Sequence, residues 1–149
     1  MLQLQLKKQE KEYSAVIYEG FNGIQANSIE VLEIISKQDD WIAMGTRSSK
    51  AKHFNLFWVN WLKQRVKKGG KARILFVDKD TWYYNQLKKI KNTKVRSLRG
   101  IAPTSVAVTK NRVMIFNYGE NPSCLAITNN DVAESFKGFF ESLWILAKK

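Results

Sequence analysis

The sequence predicts an α/β domain, a mixed sheet flanked by helices on both faces. Three observations predict it. Strand-like and helix-like segments alternate from Ala15 to Ile90, which favours parallel pairing through helical crossovers. The run "ARILFV" is continuously apolar, as a strand covered on both faces is. Two later apolar runs, "SVAVT" and "RVMIF", flank Lys110-Asn111, a turn suited to an antiparallel hairpin.

Taken in order, "QEKEYSAVIYEG" begins polar and ends as a short alternating strand at Ala15 to Tyr18, punctuated by Gly20 and Gly23. Ile24, Ser28, Val31, Leu32 and Ile35 then recur at helical spacing, giving an amphipathic helix from about Ile24 to Ser36. Trp41 to Met44 is a short strand ending at Gly45. The loop "TRSSKAKH" leads into a helix from Phe54 to Lys68, with Leu56, Val59, Leu62 and Val66 on one face and Gly69-Gly70 as its stop. Thr81 to Ile90 reads as a shorter helix. "KVRSL", "SVAVT", "RVMIF" and "SCLAIT" supply further strands, and Asn130 can cap a closing helix that runs through Ala147.

At 149 residues and 44% hydrophobic, with 5 Trp and 8 Phe, the chain can build one substantial core. No apolar run approaches the roughly 20 residues that span a bilayer. The amino-terminal stretch lacks the continuous apolar segment and cleavage site of a secretory signal, and the lone Cys124 allows no internal disulfide. A cytoplasmic location away from any membrane is therefore expected. Cys124, inside an apolar run, is read as a packing residue. One Cys and one His provide no zinc-ligand cluster, and neither metal nor cofactor is expected.

Charge is unevenly placed. The formal net charge is +12, but the segment from Arg47 to Arg99 holds 16 of the 25 basic residues against Asp78 and Asp80 alone, so it carries +14 and the remainder −2. Such a band attracts polyanions, and Lys63, Arg65, Lys67, Lys68, Lys71 and Arg73 are the candidate nucleic-acid contacts. The same lysines also fall where a solvated helix face and its loops would lie.

One stretch, "PTSVAVTKNRVMIFNYGENPSCLAITNNDVAESFKGFFESLW", resembles a half-module of the phospholipase D superfamily. The half-site of that superfamily is H-x-K, four residues, then D. In the frame that keeps the strand, turn, strand rhythm, the His position falls on Thr104, the Lys on Val106 and the Asp on Asn111. A threonine without an adjacent base is a poor nucleophile, a valine binds no phosphate, and an asparagine carries no charge to stabilise an imidazolium. The expectation is a scaffold without the enzyme activity.

Further blocks extend the likeness. "VIYEGFNGI", "FWVNWLKQRVKKGGKARILF" and "NRVMIFNYGENPSCLAITNNDVAESFKGFFESLW", in this order and spacing, resemble the effector domain of TrmB-type transcriptional regulators over about Tyr13 to Ala147. The resemblance implies a catalytically inactive phospholipase D-like domain, residues 13–149, that senses a ligand, in some members a sugar. It also implies a winged-helix domain upstream that makes the main DNA contacts. No winged-helix sequence precedes Tyr13, and residues 1–12 read as a linker or helix tail. Either the chain is cut between domains or it is a stand-alone effector domain.

Crevices in parallel-rich sheets form beyond the carboxyl ends of strands. Two such ends are identifiable. The loop after Met44 supplies Thr46, Arg47 and Ser48, and the altered half-site supplies Thr104, Ser105, Asn111 and Asn117, although Asn111 can equally serve the turn. Hydroxyls, amides and an arginine near aromatics suit a small polar ligand such as a sugar, or an anion. His53, the only histidine, has no identifiable Asp partner and is not assigned a catalytic role.

The aromatics divide in the same way. Phe136, Phe140 and Trp144 repeat every four residues and should dock the final helix on the sheet. Trp82, Tyr83 and Tyr84 cannot all face one core, so at least one is exposed or at an interface. The leading reading is a non-catalytic ligand-sensing or dimerisation domain of a regulator, working as a homodimer whose interface avoids the Lys63 to Arg73 face. The alternatives are a nucleic-acid-binding module built on the basic band, and a divergent phospholipase D-type nuclease.

Overall fold

In the computed structural model, which describes residues 13–100 and 104–148, a seven-stranded mixed sheet runs in the order β1-β7-β6-β5-β2-β3-β4. The strands are β1 (Ser14–Glu19), β2 (Trp41–Thr46), β3 (Ala72–Phe76), β4 (Thr93–Ser97), β5 (Ser105–Thr109), β6 (Arg112–Asn117) and β7 (Ser123–Thr128). The helices are α1 (Gly20–Ile34), α2 (Lys52–Val66), α3 (Trp82–Lys88) and α4 (Asn130–Leu146). Strands β2, β3 and β4 are parallel, and the other pairings are antiparallel. The predicted linker or helix tail at residues 1–12 lies outside the described residues.

Alternation along the strands sorts the core into two layers. Trp41 and Ala43 of β2, Ile74 and Phe76 of β3, and Met114 and Phe116 of β6 point to the face covered by α1, α2 and α3. Ile42 and Met44, Leu75, and Val113 point to the other face, which α4 covers with Ala133, Phe140 and Trp144. Phe136 packs at the margin of that second layer, so the four-residue aromatic repeat docks α4 as its spacing indicates. Trp82 is 54% exposed while Tyr83 and Tyr84 are buried.

Several boundaries differ from the sequence reading, each for a local reason. Helix α1 starts at Gly20 rather than Ile24, because Gly20 adopts φ +74° and lets β1 turn directly into the helix. A Cβ on Gly23 would lie 2.7 Å from the Tyr18 carbonyl carbon, so this glycine permits packing inside the helix rather than marking its edge. In α2 the buried face includes the expected Val59 and Leu62 together with Phe54, Trp58 and Trp61, while Leu56 is 52% exposed. Leu56 sits about 200° around the helix from Trp58, and the larger indole rings claimed the core side. The cap of α4 is Asn129, not Asn130; its side chain accepts from the Val132 N–H at 2.9 Å.

Candidate functional site

A cavity of about 530 Å³ opens beyond the carboxyl end of β2, where the parallel half of the sheet meets antiparallel β5. A register shift between Ala43 and Thr46, with Gly45 at φ +68°, bends the end of β2 toward it. Of the seven ligand candidates, Thr46, Arg47, Ser48, Thr104, Ser105 and Asn117 line this cavity together. Asn111 does not. It follows Lys110 (φ +52°) in the β5–β6 hairpin, and its carbonyl accepts the Asn129 N–H at 2.9 Å, so the turn reading replaces the site reading.

The floor is aromatic. Trp41, Phe54, Trp58, Phe116, Tyr83 and Tyr118 line it. Phe116 and Tyr118 stack with centroids 5.8 Å apart, and Trp58 meets Phe116 edge-on at 5.3 Å. Burial pushes the Tyr118 hydroxyl well above its ordinary range, so it stays a neutral hydrogen-bonding group.

The polar wall is held by a residue that sequence reasoning missed. Buried Asn55 accepts from the Ser49 N–H at 2.9 Å and donates to Ser48 Oγ at 3.2 Å and to the Ser49 carbonyl at 3.0 Å. Ser49 Oγ in turn accepts from the Ala51 N–H at 3.1 Å. An amide in the first turn of a helix can reach back over the loop that feeds it, and that position was the available signal. Across the cavity, the Thr104 hydroxyl donates to the Phe116 carbonyl. The Asn117 amide is spent on the following turn, donating to the Asn121 carbonyl at 2.9 Å and accepting from the Gly119 N–H at 2.9 Å. Thr46 Oγ1 is buried and has no hydrogen-bond partner among the described residues. Arg47 and Lys50 place cations at the lining, and Asp78 stands behind it, accepting from the Ser48 N–H at 3.5 Å.

Of the half-site positions, Thr104 is hydrogen-bonded, Val106 is buried in the second layer, and Asn111 lies in the hairpin. His53 is exposed at the start of α2, against the rings of Phe21 and Phe54 at 5.0 and 4.5 Å. Among the described residues, no group of three or more His, Cys, Asp or Glu could hold a metal ion.

Two of the six nucleic-acid candidates are corrected. Arg65 is fully buried and donates to the Gly70 carbonyl and, at 3.3 Å, to Thr93 Oγ1; burial lowers its guanidinium to about 10. Arg73 pairs with Glu141 on the α4 side, with its guanidinium 5.1 Å from the Phe140 ring centre and 5.6 Å from that of Trp144. Both arginines serve the fold. Lys63, Lys67, Lys68 and Lys71 are exposed.

No family model and no curated protein sequence matches the chain. Solved structures with a similar fold include NucT from Helicobacter pylori, at TM-score 0.68 and 15% identity, covering 92% of this chain and 99% of that one. TrmBL2, an archaeal chromatin protein whose structure shows a novel mode of DNA binding, has TM-score 0.65 and 16% identity over 99% of this chain and 59% of its own. Polyphosphate kinase from Porphyromonas gingivalis has TM-score 0.62 and 10% identity over 89% of this chain and 26% of its own. This chain thus spans about three-fifths of TrmBL2 and about a quarter of the kinase.

These neighbours overturn the expectation that the chain is no enzyme. A kinase is built on the same fold, so the scaffold is one that carries enzymes. They agree with the expected architecture, and no helix among the described residues is long and apolar enough to cross a membrane. This chain is an α/β domain of the phospholipase D-like fold.

Proposed function

We propose that this domain is the ligand-sensing domain of a transcriptional regulator, and that the cavity beyond β2 takes a small polar or anionic ligand. The observation that carries the proposal is convergence. Two loops far apart in sequence bring Thr46, Arg47 and Ser48 against Thr104 and Ser105 over an aromatic floor. Buried Thr46 Oγ1 finds no partner there among the described residues, and a buried hydroxyl ordinarily has one. Ring faces beneath hydroxyl and cationic groups suit a sugar, a sugar phosphate or a comparable anion. Asn117 borders the site without a free amide to offer.

The regulator context is supported by the likeness to TrmBL2, whose DNA binding belongs to a longer chain. In that context residues 13–149 form the effector domain and a winged-helix domain makes the sequence-specific contacts. The domain pairs with a second copy, because regulators commonly meet two-fold related DNA half-sites. The outer side of α4, with Phe139, Ile145 and Leu146 exposed, is apolar enough to serve as the contact. Light scattering that returns a monomer at tens of micromolar protein would count against that pairing.

Because Trp41 and Trp58 line the cavity, tryptophan fluorescence tests the ligand directly. Titration with neutral sugars, sugar phosphates and inorganic phosphate should shift emission for at least one class, with affinity reduced about tenfold or more in Arg47→Ala if the ligand is anionic. No response across the panel at millimolar concentration would defeat the reading. Since the fold also carries enzymes, a chromogenic phosphodiester belongs in the same panel; hydrolysis well above a heat-denatured control would move the site from sensing to turnover.

A further inference from the structure

The parallel strands start in register, with Trp41 beside Ala72 and Ala72 beside Thr93. Their feeding connections therefore return to one end of the sheet, opposite the mouth of the cavity. Lys67, Lys68 and Lys71 flank the α2–β3 connection, and Lys88, Lys89 and Lys91 the α3–β4 connection. All six are exposed, and none has an ion-pair partner among the described residues. The carboxylates just before β2, at this same end of the sheet, are committed elsewhere: Asp39 accepts from the Ser36 N–H at 2.9 Å and pairs with Lys110 at 3.7 Å, and the charge of Asp40 acts on buried Arg65.

A cation or two near each helix end would complement the α2 and α3 dipoles. Six unpaired cations at one end exceed that need, and they repel one another within a Debye length. We propose that this end docks the phosphate backbone of duplex DNA, independently of the cavity. Mobile ammonium groups suit a line of phosphates better than a single one, for which a planar guanidinium fork is the better match. The arginines that could have read guanine edges are withdrawn here, Arg65 into the core and Arg73 onto α4. Among the described residues, the exposed aromatics Tyr13, Trp82 and Phe139 lie before β1 at the far edge of the sheet from β3 and β4, at the opposite end of α3, and on α4, so no exposed ring adjoins the lysines for unpaired bases to stack on. Double-stranded, sequence-neutral binding is what remains.

The test is fluorescence anisotropy of the whole chain with two labelled duplexes of unrelated sequence, each roughly 20 base pairs, across a salt series. Both duplexes should bind equally, with a steep inverse dependence on salt. Changing Lys67, Lys68 and Lys71 together to Glu, or Lys88, Lys89 and Lys91 together to Glu, should weaken binding about tenfold or more and flatten the salt dependence. If a glutamate variant fails to melt cooperatively, the same triple changed to Gln replaces it, with a smaller loss expected. Arg47→Ala, at the cavity, should leave DNA affinity unchanged. The proposal is overturned if both folded triple variants bind like the parent, if Arg47→Ala abolishes binding, if single strands are preferred, or if one duplex sequence is strongly selected.

Discussion

Trp58 on α2 donates its indole N–H to the hydroxyl of Tyr118 at 2.8 Å, tying that helix to the segment that follows β6. The two residues are 60 apart in sequence, and together they form one side of the cavity floor. Tyr118→Phe keeps the ring stack on Phe116 but leaves the indole N–H of buried Trp58 without its acceptor. The expected cost is about 1–2 kcal/mol in chemical denaturation. In a Trp58→Phe background the same change should cost less, because the stranded donor is gone. Equal costs in both backgrounds would show that the hydrogen bond carries no coupling.

Arg73 joins α4 to the sheet through Glu141 and the Phe140 and Trp144 rings. Arg73→Ala should destabilise the fold by about 1–2 kcal/mol, mostly through lost ring contact, since a largely exposed ion pair contributes little. Arg73→Lys should recover only part of it, for lack of the planar fork. The hydrogen bond from Arg73 holds the Glu141 carboxyl below its ordinary value of 4.5. A depressed carboxylate stabilises the fold above its unfolded value and loses that contribution as pH falls through its folded value. Glu141→Gln should therefore shallow the acid slope below about pH 4.5. With Glu141 51% exposed, the change is a small one. An unchanged acid slope would remove the pair from the stability of the domain.

Buried Arg65 makes the opposite case. Desolvation lowers its guanidinium to about 10. The unfolded chain thus holds this proton more tightly, so the group's burial penalty is full below about pH 10 and eases as pH rises above it. Arg65→Ala leaves a cavity and an unpaired Gly70 carbonyl, and should cost about 3 kcal/mol. Arg65→Met fills most of the volume and should cost roughly 1 kcal/mol. Denaturation midpoints rank the two, and equal losses would show that the guanidinium hydrogen bonds outweigh packing. Neither change should alter DNA affinity in a folded protein.

The two arginines show where the sequence is silent. In a charge tally Arg65 and Lys67 count alike, yet one is fully buried and the other solvated, because a carbonyl at Gly70 and a hydroxyl at Thr93 were within reach of the first. Those partners belong to tertiary structure. What periodicity controls was legible: the aromatic seam of α4, the exposed member of Trp82 to Tyr84, and the hairpin at Lys110-Asn111. The two loops around the cavity were legible as strand ends, because position past a strand is a sequence property. Asn55 was not, since nothing in a helical pattern tells whether an amide faces water or reaches back to a loop.

Cys124 provides the last test, of core integrity. It lies fully buried on β7, and burial pushes its thiol from 9.0 up to about 12. Thiolate is the reactive form, so the native side chain is protected both by access and by protonation. At pH 8 an aromatic disulfide reagent should label the native protein far more slowly than the denaturant-unfolded chain, at a rate set by opening of the sheet. Cys124→Ala should cost about 1–2 kcal/mol and Cys124→Ser somewhat more, because serine buries a hydroxyl where a thiol was tolerated. Destabilising the core with Arg65→Ala should speed labelling, the logarithm of the rate rising in proportion to the lost stability. Complete labelling within seconds in native buffer would mean that β7 opens freely and that the first core layer is not closed over it.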